Sequence, residues 1–169
     1  MAVSHLIEQG CRRIVHCGGP LNVSIYANRF KGYKAALEDH GIAFDESWHI
    51  PLTLTREKSI EAVEKLLQLK PVPDAIFSAS DYSASGAIMA LKERNIRIPE
   101  DIAIVGFANE PYAEITSPSL SSVDQHSREV GQAVARLFLE EIELHGPYIS
   151  KSILLTPDLI VRGSSKKLK

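Results

Sequence analysis

Histidine, cysteine, serine and carboxylate side chains are where this chain could hold a metal, activate a nucleophile or move a proton. The six histidines, His5, His16, His40, His49, His126 and His145, are scattered. No two stand four apart, the spacing that brings two imidazoles onto one helix face around an ion. His16 and Cys17 are neighbours in a β-rich run, so their side chains leave opposite faces of a strand and cannot share a metal. A nucleophile elbow needs Gly-x-Ser-x-Gly between strand and helix. The nearest approach, Ser83-Ala84-Ser85-Gly86, lacks the first glycine and sits inside a helical pattern, so it reads as a small-residue face for close packing. Cys17-Gly18-Gly19-Pro20 follows a strand but has neither the G-x-G-x-x-G nor the Lys-Ser/Thr phosphate-loop form. It reads as a tight strand exit in which a Cβ would be in the way. Glu140, Glu141 and Glu143 read as a solvated helix face. No metal, no cofactor and no catalytic reaction is specified; the expectation is a binding module rather than an enzyme.

The elements that carry these residues follow from apolar periodicity. Arg13–Cys17, Asp74–Ser78 and Asp101–Phe107 are nearly continuous apolar runs, as parallel strands covered on both faces should be. Trp48–Ile50 is a weaker strand candidate. Tyr26, Phe30, Tyr33 and Leu37 share one stripe of a helix ending near Gly41. Ile60, Val63, Leu66 and Leu67 mark a second helix, stopped by Pro71 and Pro73. Ala84, Ala87, Ile88 and Leu91 mark a third, with Ser80 or Asp81 as its N-cap. Val130, Val134, Leu137, Phe138 and Ile142 mark a fourth, closed by Gly146-Pro147. A short helix over Ala2–Gln9 is capped by Gly10. Strand and helix in alternation predict an α/β fold, a doubly wound, mostly parallel sheet. After Pro118 the pattern changes to one long helix and two short strand-like runs, Ser152–Leu155 and Leu159–Val161. Ligands of such sheets sit beyond the carboxyl ends of the strands, here Gly18–Ile25, Pro51–Thr55, Ser78–Asp81 and Phe107–Glu110.

Composition narrows the classes further. The chain has 169 residues, 44% of them hydrophobic, and a net charge of −2, enough for one packed domain or slightly more. No apolar run approaches the length of a membrane span. A pI near 6.3 argues against nucleic-acid binding by this chain itself, since phosphate contacts need a basic face. Two cysteines, Cys11 and Cys17, are too few for a disulfide scaffold and fit a reducing, cytoplasmic compartment.

A longer string of residues carries a resemblance. Phe77-Ser-Ala-Ser-Asp81 runs into Ala84-Ser-Gly-Ala-Ile-Met-Ala-Leu91, followed by Ile98-Pro-Glu-Asp-Ile-Ala-Ile-Val-Gly-Phe107, Pro118-Ser-Leu-Ser-Ser-Val123 and Leu159-Ile-Val-Arg-Gly-Ser164. Leu6-Ile-Glu-Gln-Gly10 and Arg29-Phe-Lys-Gly-Tyr33 fit upstream. The string resembles the effector-binding core of the LacI/GalR family of bacterial transcription regulators, whose fold is that of type I periplasmic sugar-binding proteins. The resemblance implies the second half of that two-subdomain core. Residues 1–122 would form the C-terminal subdomain. Residues 123–156 would belong to the N-terminal subdomain, with a strand near Ile153–Leu155, and residues 157–169 would return. Operator DNA would be read only by a helix-turn-helix absent from this chain.

The resemblance also implies site residues for a small effector, usually a sugar, held in the cleft between subdomains. Arg29 matches an arginine that many members use, and Ser80 a position of frequent polar contact. Asp81 is expected as a helix N-cap before a ligand contact. The family's aspartate after the Gly-aromatic pair falls on Ala108, which leaves Asn109 or Glu110 as substitutes. The expected stacking aromatic falls on Leu54, and Val23 and Ile25 make that wall apolar. The implied assembly is a homodimer touching through the Ala84–Leu91 helix and the Asn109–Ser117 loop. The alternative is a fragment of a periplasmic sugar-binding transport protein.

Overall fold

The structure, a computed structural model, describes residues 1–143 and 150–166. In chain order the elements are α1 (Ala2–Glu8), β1 (Ile14–Gly18), α2 (Ser24–Asp39), β2 (His49–Pro51), α3 (Arg56–Gln68), β3 (Ala75–Ser78), α4 (Asp81–Glu93), β4 (Ala103–Phe107), β5 (Ser121–Asp124), α5 (Ser127–Glu143) and β6 (Asp158–Ile160). The strands form one sheet in the order β2-β1-β3-β4-β5-β6, parallel throughout except for the antiparallel β5–β6 pair. The chain goes to one side of β1 for β2 and to the other for β3, so the crossovers part above the carboxyl ends of β1 and β3. That parting opens the crevice where ligands of open α/β sheets bind.

Alternation along the strands explains their apolar runs. Ile14, Ala75, Phe77 and Val105 face α1 and α2, where Leu6, Tyr33 and Leu37 complete one core. Val15, Cys17, Ile76 and Ile104 face the other way, onto Val63 and Leu66 of α3 and Ile88 and Leu91 of α4. Both faces are covered, so every residue of β1 is buried. The small-residue face expected over Ser83–Gly86 is what joins α3 to α4. A Cβ on Gly86 would lie 2.5 Å from the Arg56 carbonyl oxygen, and Ser83 and Ser59 share a hydroxyl hydrogen bond of 2.5 Å. Helix ends follow local chemistry: the Thr55 hydroxyl accepts from Lys58 N to open α3, and Gly10 closes α1 with φ of +90°.

Two features depart from expectation. Ser121–Asp124 is a fully paired strand in a stretch that has no β-rich composition, and Ser152–Leu155 forms no strand, with Leu154 exposed to solvent. Serine is tolerated inside β5 because its hydroxyls are all bonded. Ser121 Oγ accepts from Arg162 N and from Ser165 Oγ, both at 2.7 Å, and Ser122 Oγ donates to Asp81. The expected stop at Gly146-Pro147 and His145 lie outside the described residues. None of the residues of α5 is buried.

Candidate binding site at the strand ends

Arg29 projects from the second turn of α2 over the carboxyl ends of β3 and β4. Its Nη1 donates to the Ala79 carbonyl at 2.8 Å, and its guanidinium carbon lies 3.7 Å from the centre of the Phe107 ring. Stacking and one hydrogen bond hold the planar group in place. The side chain is half-buried, and burial pulls its pKa down against the opposing pull of Tyr26 and Asp81. No carboxylate is ion-paired with it among the described residues. An apolar cavity of about 180 Å³ opens beside it, lined by Gly32, Tyr33, Phe77, Phe107 and Val123 among others. Of Arg29, Ser80, Asp81, Asn109, Leu54 and Ile25, all implied by resemblance as effector contacts, Arg29 alone borders this cavity.

The other five divide into two groups. Ser80 is half-buried at the N-cap of α4 without a side-chain cap, Leu54 is half-buried between β2 and α3, and Ile25 is exposed on the first turn of α2. These three are open at the strand ends. Asp81 and Asn109 are not. Asp81 is the first residue of α4 rather than its cap, and its carboxylate turns inward. One oxygen accepts from Ser122 Oγ at 2.7 Å and the other from Glu110 N at 2.8 Å. Burial raises its pKa, while those hydrogen bonds and one from Phe107 N pull the other way. Gly106 makes room, since a Cβ there would lie 2.1 Å from the carboxylate.

Asn109 has φ of +52° and follows Ala108 at +124°, two left-handed residues in succession. Its Nδ2 donates to Asp124 at 2.9 Å, its Oδ1 accepts from Arg162 Nη2 at 2.9 Å, and its N–H donates to Ser122 Oγ at 3.0 Å. The amide expected to take over a ligand contact is therefore engaged with β5 and the segment after β6. Glu110 gives its N–H to Asp81 and keeps its side chain in solvent.

Several partners of these residues are not evident from the sequence. Phe107 as the platform for Arg29 was foreshadowed by the Gly-aromatic pair ending β4. Ser122, Asp124 and Arg162 had no local signal, because they come together only once β5 and β6 join the sheet. His16 and His49 also meet, with Nδ1 atoms 3.1 Å apart across the β1–β2 pair and His16 stacked on Tyr33. Both Nε2 atoms are buried and have no hydrogen-bond partner among the described residues. Burial, with the charges of His49 and Arg29, pushes the His16 pKa down to about 3. On the opposite face of β1, burial raises the Cys17 thiol to about 12, so it is held as an inert thiol. The strand exit Gly18-Gly19 needs its missing side chains: a Cβ would lie 2.3 Å from His16 Cε1 at the first position and 2.5 Å from the Tyr26 ring at the second.

The family model described as a periplasmic binding protein-like domain matches residues 3–165. The chain belongs to that family. Its relatives include the HTH-type transcriptional repressor CytR of Escherichia coli, 34% identical over 168 residues covering 99% of this chain and 49% of that protein. The repressor PurR of Haemophilus influenzae is 31% identical over 170 residues, covering 99% of this chain and 51% of that protein. Among solved structures, a complex of the transcriptional regulator CelR with cellobiose superimposes with a TM-score of 0.85 at 34% identity, covering 96% of this chain and 49% of that one. The chain thus spans about half the length of these relatives. They are LacI-type transcriptional regulators rather than enzymes, and the α/β architecture of this periplasmic-binding-protein-like chain is that of their effector-binding core. Among the described residues, no helix is long and apolar enough to cross a membrane.

Proposed function

We propose that this chain is the effector-sensing part of a cytoplasmic LacI-type regulator, and that a saccharide or related small metabolite docks against Arg29. The observation that carries this reading is the guanidinium itself: half-buried, pinned by Ala79 and Phe107, and free of any carboxylate partner among the described residues. A ligand oxygen pair facing its remaining donors would form charge-assisted, bidentate hydrogen bonds. Ser80, Leu54 and Ile25 would line the same mouth, the last two as an apolar wall, while Asp81 and Asn109 shape the turn beneath it. The cellobiose bound to the related CelR supports a sugar as the first class to test.

In this reading residues 1–122 and 157–169 form one subdomain of a two-part core, and residues 123–156 belong to the other. Bare α5 is consistent with a helix that packs on a second subdomain. Ligand closes the cleft between the two and shifts the population that presents the DNA-binding heads. Operator DNA would be bound outside this chain. A homodimer would form through the outward face of α4, where Tyr82 is exposed, and the 109–117 loop, where Ile115 is exposed. The inward face of α4, including Ala84, Ala87 and Leu91, is core and unavailable. Repressor relatives and two free thiols favour the cytoplasm over a periplasmic transporter.

The test is a fluorescence titration on Trp48 in the full-length protein with mono- and disaccharides and nucleosides. At least one should bind, and Arg29→Gln should weaken it by tenfold or more. Binding that is indifferent to Arg29→Gln would remove Arg29 from the site.

A further inference from the structure

We infer that Asn109 is a positioning residue that fixes the direction of α5 relative to the strand-end site, by clamping the outgoing and the returning crossing of the chain at once. α5 buries none of its residues against the body, so packing on this sheet does not orient it. Its direction is set where it leaves the sheet. There Asp124 Oδ1 accepts from His126 N at 2.7 Å, and the His126 carbonyl accepts from Val130 N at 2.9 Å in the first turn of the helix. The second oxygen of Asp124 is held by Asn109 Nδ2, and the carbonyl of that same amide holds Arg162, two residues past β6. Arg162 is fixed in turn by the Leu120 carbonyl at 2.8 Å and by Glu114. His126 Nε2 lies 3.2 Å from Asp158, a second brace between the two crossings.

One side-chain amide therefore ties the turn after β4 to both connections of α5. The backbone of that turn is left-handed at two non-glycine residues, and it is held so by Ala108 N on the Val123 carbonyl, Asn109 N on Ser122 Oγ and Glu110 N on Asp81. A ligand that shifts residues 108–110 has to move the amide, and with it the exit of α5. The inference stands apart from which effector binds.

Polarity supplies the test. Asn109→Asp sets a carboxylate against Asp124 and breaks the clamp. Adding Asp124→Asn reverses the bond: the amide now at position 124 donates to position 109 and still accepts from His126 N, while the carboxylate at 109 still accepts from Arg162. Spin labels on Glu57→Cys in α3 and Arg136→Cys in α5 report the distance between body and helix by double electron–electron resonance. Cys11 and Cys17 stay buried and unlabelled, and excess unlabelled chain removes intermolecular pairs. The wild-type chain should give one narrow distribution, Asn109→Asp should at least double its width, and the double variant should restore it. A purely structural role would lower the melting temperature without moving the width. An unchanged width in Asn109→Asp overturns the inference, as does a broad double variant whose circular dichroism matches wild type. If Asn109→Asp does not fold, Asn109→Ser removes the two amide bonds without adding charge; its width should also double, and an unchanged width overturns the inference.

Discussion

Asp81 shows how one carboxylate can organise a site without facing it. Its two oxygens take the hydroxyl of Ser122 and the N–H groups of Glu110 and Phe107, so its removal leaves the buried Ser122 hydroxyl and two backbone donors without their acceptor. Asp81→Ala should cost about 3 kcal/mol, read as a lower denaturant midpoint at unchanged slope. Gly106→Ala should cost a similar amount from the other side, because its Cβ would occupy the carboxylate's place. The His16–His49 pair makes a pH prediction. His16 is neutral in the fold with a pKa near 3, against 6.5 in the unfolded chain, and burial lowers His49 as well. Below pH 6.5 the unfolded state takes up protons that the fold refuses. Stability is therefore full above that pH and falls by up to about 1.4 kcal/mol per pH unit for His16, levelling off near pH 3. Urea midpoints at pH 7.5 and 5.0 should differ accordingly, and His16→Phe should flatten the dependence. An equal slope in that variant would assign the effect elsewhere.

Among the elements, α3 and α4 meet backbone against backbone, and Gly86 is the condition of that contact. Gly86→Val would drive a side chain into the Arg56 backbone and should destabilise by about 2 kcal/mol or more, measured by thermal melting. This contact also marks what sequence can and cannot convey. β1, β3 and β4 were legible because strands buried on both faces are apolar at nearly every position, and α1 to α4 because each has one apolar stripe and a local stop. β5 was not, since Ser121 and Ser122 reach the interior only through hydroxyl partners 41 to 44 residues away. The same long-range pairing hid the engagement of Asp81 and Asn109. Arg29 was legible as a site residue only through resemblance; its hold on Phe107 and Ala79 required the fold.

At the scale of the molecule, α5 decides how this chain behaves on its own. Val130, Val134, Phe138 and Ile142 recur every four residues and all stay exposed, a continuous apolar stripe. Self-association should follow, visible as concentration-dependent light scattering and binding of an apolar dye. Val134→Glu with Phe138→Glu should abolish both while leaving the melting temperature of the body within a degree or two. A wild-type chain that stays monomeric and dye-free at high concentration would contradict this.

We propose that the chain's role is to sense a small molecule on behalf of a DNA-binding regulator. It is tested most directly by operator binding of the full-length protein to its own upstream DNA, at one stated salt concentration, with and without the saccharide and nucleoside panel. At least one of these ligands should change operator affinity, and Arg29→Gln should remove the change without altering unliganded DNA binding. DNA binding that no ligand alters, or no DNA binding at all, would contradict it.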